Sequence, residues 1–193
     1  MSVAAISGSL PLQNARNTTA RVKTWFETRP TVPQWLMLVG AALLFQLVWS
    51  TAGVAIVASI GSAPQKTSTA MRMMLEAPLL DVVGKQALGV LFEEVAFRVI
   101  PLGIALAIYR DNARGAVTAA FVLLSSVAFG YFHGLEWYRL TLQAVGGIVL
   151  SVVYLKTCGM SGRYWLRALA TTFVLHMAIN TTILATLRIA KGS

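Results

Sequence analysis

Five polar residues with the chemistry of a hydrolytic site stand inside otherwise apolar stretches of the chain. They are Glu93, Glu94, His133, His176 and Asn180. Carboxylates and imidazoles are the usual general acids and bases of enzymes. Imidazole and amide groups can also donate hydrogen bonds to an oxyanion as it forms. Together these residues could therefore activate a water molecule and hydrolyse a bond.

The two glutamates belong to the segment LFEEVAFRVIP, residues 91–101, in a run that is apolar on both sides. A charge near the centre of a bilayer costs about 2.5–3.5 kcal/mol on insertion scales, so each charge needs a partner or a wet cavity. Glu94 and Arg98 are four residues apart in the favourable order for a helical ion pair, and could simply neutralise each other. Glu93 points about 100° away around the helix and must face another neighbour.

The chain has only two histidines, His133 and His176. A single buried histidine is commonly a satisfied core residue, but each of these belongs to a patterned group. His133 follows Phe129 by one helical turn, and His176 precedes Asn180 by one turn, on one face of its helix. A buried Asn also requires a partner. We therefore expect three helices to bring these polar groups to one shared cavity.

The composition indicates that these helices lie in a membrane. The chain has 193 residues, of which 56% are hydrophobic and 12% are charged, and this charged fraction is about half that of a soluble domain. The length suits one domain. The net charge of +9 comes from cations that are spread among apolar segments, so nucleic acid is excluded as a partner.

Five apolar segments approach the roughly 20 residues that a helix needs to span a bilayer. An all-α, polytopic membrane bundle of about five transmembrane helices is the predicted fold. The third and fourth segments are short, which favours tilt or burial. Gly146 and Gly147 favour close helix contact, and the proline at 101 predicts a kink that either opens a cavity or serves packing. The segments are 35–60, 79–109, 116–132, 140–155 and 166–187.

Residues 1–32 form a basic tail that could be partly disordered or hold a short surface helix, and residues 33–193 form the membrane domain. Lys and Arg side chains collect in cytoplasmic loops. With the N-terminus inside, nine cations lie in inside segments and five lie in outside segments. We therefore expect an integral protein of a prokaryotic plasma membrane with a cytoplasmic N-terminus.

The order of these groups resembles the CAAX protease and bacteriocin-processing (CPBP) family of intramembrane glutamic endopeptidases. The family motif Glu-Glu-x-x-x-Arg stands here as EEVAFR, from Glu93 to Arg98. The Phe-x-x-x-His motif stands as FGYFH, from Phe129 to His133, and the His-x-x-x-Asn motif stands as HMAIN, residues 176–180. The resemblance covers roughly residues 82–182 and implies a peptidase that works without metal or cofactor.

The residues suit that chemistry. Glu93 would be the general base, and His133 would share and orient the attacking water. His176 and Asn180 would donate hydrogen bonds to the oxyanion. Residues that support the site would be Glu94, Arg98 and Phe129. Expected partners are the lipid bilayer, a membrane-associated or lipidated peptide or protein as substrate, and a further membrane protein in a complex.

Three other interpretations stay open at the level of sequence. Two glutamates and two histidines could bind zinc, although His-Glu-x-x-His is absent. The chain could instead be a non-proteolytic scaffold, immunity protein or assembly factor in which the motifs only hold helices together. A small transporter or channel subunit would also explain polar residues inside the membrane.

Overall fold

The computed structural model describes residues 21, 24–26, 28–59, 76–108, 114–134, 136–158 and 162–191. These residues form helices and short turns, and none of them lies in a β-strand. The helices are α1 Val32–Ser59, α2 Leu79–Glu94, a π-helical turn Val95–Val99, α3 Ile100–Ile108, α4 Arg114–His133, α5 Trp137–Cys158 and α6 Trp165–Lys191.

The described residues of each of the five predicted apolar segments are helical. The second segment differs from the others because it contains three helical elements. These are α2, the π-helical turn and α3, which follow one another without a break. Among the described residues, four helical stretches are long and apolar enough to cross a membrane: 32–53, 115–133, 140–158 and 165–189. The prediction of an all-α membrane bundle is therefore confirmed, and the protein is an integral membrane protein.

Local sequence accounts for the helix ends nearest the polar residues. Pro78 directly precedes α2, and Asp81 lies in the first turn of that helix, where a negative charge interacts favourably with the helix dipole. The second such boundary is the C-terminal end of α4. This helix ends at His133 because the next residue, Gly134, has φ of +145°. A residue with a side chain rarely adopts that backbone conformation.

Helices α4 and α5 run antiparallel and pack closely against each other. The reason is a set of glycines at their contact. A Cβ added at Gly147 would lie 3.0 Å from Ser126 Cα, as expected for a glycine that permits close contact. Gly130 is tighter still, because its added Cβ would lie 2.6 Å from the backbone oxygen of Leu140.

Replacing Gly130 with Ala should destabilise the bundle. A backbone atom cannot move aside as the end of a side chain can, so we expect a loss of about 1–3 kcal/mol of unfolding free energy. Gly103→Ala is the matched control, because nothing lies within 4 Å of a Cβ added there. Unfolding of both variants in detergent micelles would measure the difference, and equal stabilities would contradict the close contact.

The basic tail is described only in part. Residues 1–20, as well as Val22, Lys23 and Glu27, lie outside the described residues, and with them part of the predicted short helix. The remainder is attached to the bundle by a buried cation. Lys156 Nζ donates hydrogen bonds to the backbone oxygens of Trp25 and, at 2.8 Å, of Thr28.

Candidate functional site

The EEVAFR motif lies where the second apolar segment changes its helical geometry. Glu93 and Glu94 are the last two residues of α2, and Arg98 lies in the π-helical turn that follows. The backbone N–H of Ile100 donates to the oxygen of Val95, five residues earlier. Such π-helical turns occur frequently at functional sites. The π-helical turn ends two residues before the proline at 101, whose predicted kink stays a prediction.

Glu94 and Arg98 form a buried ion pair. Arg98 Nη1 lies 3.2 Å from Glu94 Oε1, and both side chains are almost fully shielded from solvent. The guanidinium of Arg98 also stacks over the ring of Phe129, 4.2 Å from its centroid. A cation over an aromatic face gains electrostatic energy, more so when it is desolvated. The pair therefore fixes α2 and the π-helical turn against α4.

His176 makes a second contact with the same glutamate. Its Nδ1 lies 2.9 Å from Glu94 Oε1. Because a carboxylate accepts, Nδ1 donates this hydrogen bond and its proton is fixed on that side of the ring. The opposite nitrogen, Nε2, lies 3.6 Å from Glu93 Oε2. Glu94 thus orients His176 towards Glu93, a link that the sequence analysis did not foresee.

His133 is also oriented by a hydrogen bond, in this case to the backbone of its own helix. Its Nδ1 donates to the carbonyl oxygen of Phe129 at 2.8 Å, one helical turn earlier in α4. Its Nε2 then faces Glu93 Oε1 at 3.6 Å. The carboxylate of Glu93 is therefore flanked by two imidazoles, with one ring nitrogen facing each oxygen. Both separations exceed a direct hydrogen bond.

Phe129 is the apolar centre of this group. It is buried, and its ring centroid lies 4.4 Å from that of His133 and 5.8 Å from that of His176. On a third side it meets the ring of Phe97 at 5.5 Å. A single aromatic ring thus packs between the two imidazoles and under the Arg98 guanidinium.

Asn180 is the remaining predicted site residue. It lies one turn beyond His176 on α6 and is partly buried. Within the part of the chain that the structure describes, no ion pair or side-chain hydrogen bond joins it to Glu93, His133 or His176. Its predicted contact with an oxyanion stays a prediction.

Zinc was one of the open interpretations. Across the described ranges, no group of three or more His, Cys, Asp or Glu side chains has an arrangement that could hold a metal ion. The group that suggested zinc contains Glu93, His133 and His176. Its ring nitrogens are 3.6 Å from the carboxylate oxygens.

Comparison with known proteins agrees with the motifs. The family model described as type II CAAX prenyl endopeptidase Rce1-like matches residues 75–182, which include every residue of the site. Comparisons with curated proteins and with solved structures found no match. The matched region is more than half of the 193 residues. The chain therefore belongs to the Rce1-like family of type II CAAX prenyl endopeptidases, a group of CPBP membrane proteases.

Proposed function

We propose that this protein is an intramembrane endopeptidase in which Glu93 and two histidines activate water without a metal. The observation that carries the proposal is the orientation of the imidazoles. Each Nδ1 is engaged, by Glu94 or by the Phe129 carbonyl, and each Nε2 faces Glu93. Two acceptors that face each other need a proton donor between them, and water supplies two protons.

In the proposed reaction, Glu93 takes one proton from the water as the water oxygen attacks the carbonyl carbon of the scissile peptide. His133, with its proton on Nδ1, accepts the second water hydrogen at Nε2 and so orients the attack. The resulting tetrahedral oxyanion needs donors. Once Nε2 of His176 has received from Glu93 the proton taken from the water, it can donate to that oxygen while Glu94 keeps Nδ1, and the Asn180 amide is the second donor.

Collapse of the tetrahedral intermediate breaks the carbon–nitrogen bond. The proton that Glu93 accepted then passes to the leaving amine, so the carboxylate is regenerated. Arg98 takes no part in these transfers. It pairs with Glu94 and keeps it in place, and Glu94 in turn holds His176.

We propose as substrate a membrane-associated or lipidated peptide or protein, because the site lies among helices that cross the bilayer. A prokaryotic plasma membrane with the N-terminus in the cytoplasm fits the distribution of cations. The test is a comparison of membrane peptides by mass spectrometry in cells with wild-type protein, Glu93→Gln and Asp81→Asn. New peptide termini should appear with wild type and with Asp81→Asn, whose carboxylate is exposed on the same helix, but not with Glu93→Gln.

A non-proteolytic scaffold is the second candidate. It is favoured by one observation, the buried contacts of Glu94 with Arg98 and His176. These would stabilise the contact between α2 and α6 even if no bond were ever cleaved. Peptide termini that are identical in cells with wild-type protein and in cells with Glu93→Gln would favour the scaffold.

A further inference from the structure

The two oxygens of the buried Glu94 carboxylate have unequal surroundings. Oε1 lies 2.9 Å from His176 Nδ1 and 3.2 Å from Arg98 Nη1. Oε2 is buried as well, but no group of the described residues forms a hydrogen bond with it. Buried polar atoms almost always have a partner, and the lack of one is most costly for a charged group. Glu94 Oε2 therefore requires a donor.

Arg98 is engaged with the other oxygen. Its ion pair joins Nη1 to Oε1 of Glu94, and its guanidinium lies over the ring of Phe129, 4.2 Å from the centroid. A movement of the guanidinium towards Oε2 would weaken both contacts. The donor for Oε2 is more readily supplied by α6, the helix that also carries His176 to this carboxylate.

A threonine of α6 lies beside the same carboxylate. Thr172 precedes His176 by one helical turn, so the two side chains share a face of α6. Thr172 is fully buried, and its hydroxyl is near enough to the Glu94 carboxylate to act as a donor to it. The nearest acceptor within its own helix is the backbone oxygen of Ala168, 3.1 Å from Thr172 Oγ1.

The hydroxyl can change its acceptor without any movement of Thr172 Oγ1, because a hydroxyl turns about its C–O bond. The oxygen of Ala168 already accepts a backbone N–H within the helix, whereas Glu94 Oε2 has no other donor among the described residues. A hydrogen bond to a carboxylate is also roughly twice as strong as one between neutral groups. We propose that Thr172 donates its hydroxyl proton to Glu94 Oε2 and is thereby a positioning residue for the reaction.

The consequence is a fixed orientation of His176. The last torsion of a glutamate side chain has no sharply preferred value, so a carboxylate held through one oxygen can turn. Thr172 would hold the second oxygen of Glu94 and so fix the plane of the carboxylate. His176 Nδ1 then donates in one direction, and its Nε2 stays aimed at Glu93 Oε2, 3.6 Å away. This role rests on the proposed peptidase function, because it serves the attack that Glu93 promotes.

Three substitutions on α6 test this role. Thr172→Val removes the hydroxyl and keeps the volume and the branched shape of the side chain. Thr172→Ser keeps the hydroxyl and removes only the methyl group. The matched control is Thr182→Val, because the Thr182 hydroxyl also donates to its own helix, to the oxygen of Ala178 at 2.8 Å, and is exposed.

The first measurement is the cleavage of a substrate identified by the mass-spectrometric comparison. We expect Thr172→Val to lower kcat about tenfold, the effect of losing one hydrogen bond to a charged group. KM should not change, because Thr172 acts through Glu94 and His176 and does not touch the substrate. Thr172→Ser and Thr182→Val should cleave at the wild-type rate, and thermal unfolding in detergent shows whether each variant is folded.

The second measurement does not depend on cleavage. The chain has two histidines, so nitrogen-15 labelling of histidine gives a simple NMR spectrum in micelles, and His133→Gln assigns its signals. The position of the His176 Nδ1 proton signal reports the geometry of its hydrogen bond to Glu94. We expect this signal to move in Thr172→Val, to return in Thr172→Ser and to stay in place in Thr182→Val.

Wild-type kcat in a folded Thr172→Val protein would overturn the role in the reaction, and an unmoved His176 signal would overturn the contact with Glu94. A Thr172→Ser protein that behaves like Thr172→Val would assign the effect to the methyl group and overturn the proposal. If Thr172→Val does not fold, Thr172→Ala replaces it, since Ala and Ser differ only by the hydroxyl. Failure of the peptidase proposal appears separately, as unchanged peptide termini with Glu93→Gln, and the histidine spectra still decide whether Thr172 holds Glu94.

Discussion

Glu93→Gln is expected to abolish hydrolysis and leave the protein folded. The amide has the shape of the carboxylate and can still form hydrogen bonds, but it cannot take a proton from water. Loss of a general base typically lowers a rate by about 10²–10⁴. An uncharged side chain is easier to bury, so the melting temperature should hold or rise. Two quantities would be measured. One is the rate at which a substrate identified by the mass-spectrometric comparison is cleaved, and the other is the temperature of thermal unfolding in detergent.

A chelator distinguishes the two ways in which this site could hydrolyse a bond. The proposed mechanism predicts that wild type with chelator cleaves as fast as wild type without it. A zinc mechanism predicts that the chelator alone reproduces the loss seen with Glu93→Gln. Full cleavage or full cellular activity by a folded Glu93→Gln protein would refute the role assigned to Glu93.

Arg98→Met should cost the protein about 3–5 kcal/mol of unfolding free energy, the cost of breaking one side of a buried ion pair. Methionine fills much of the space of the arginine stem, so the loss reflects the charge more than a cavity. Glu94, which is fully buried, would be left without its cation, and Phe129 would lose the guanidinium over its ring. Denaturant titration in micelles would measure the change.

The double variant Glu94→Gln with Arg98→Met should be more stable than Arg98→Met alone. It removes both charges, and neutral replacement of a whole buried pair is often tolerated. The Gln oxygen can still accept from His176 Nδ1. A single Arg98→Met variant that unfolds like wild type would show that the ion pair does not stabilise the bundle.

The sequence by itself determined the helices and the residues that could do chemistry. Hydropathy and length located all five apolar segments, because a helix that crosses a membrane must satisfy its backbone internally and must be about 20 residues long. The cost of burying charge singled out Glu93 and Glu94 as residues in need of partners. Spacing by one helical turn linked Phe129 to His133. These features depend on neighbours along the chain, so they can be predicted from it.

Only the tertiary structure decided which partner each group has. Sequence spacing paired Glu94 with Arg98, but the structure adds His176, 82 residues away, on the same oxygen. Gly130, which the sequence analysis did not single out, leaves less room for a Cβ against α5 than Gly147 leaves against α4. Neither could be predicted, because helix rotation and crossing set which side chains meet, and those follow from packing among all the helices. The orientation of His176 towards Glu93 was decided in the same way, by a hydrogen bond to Glu94 that forms only when α2 and α6 come together. His133 is oriented by a hydrogen bond within α4, and packing decides only that its ring meets Glu93.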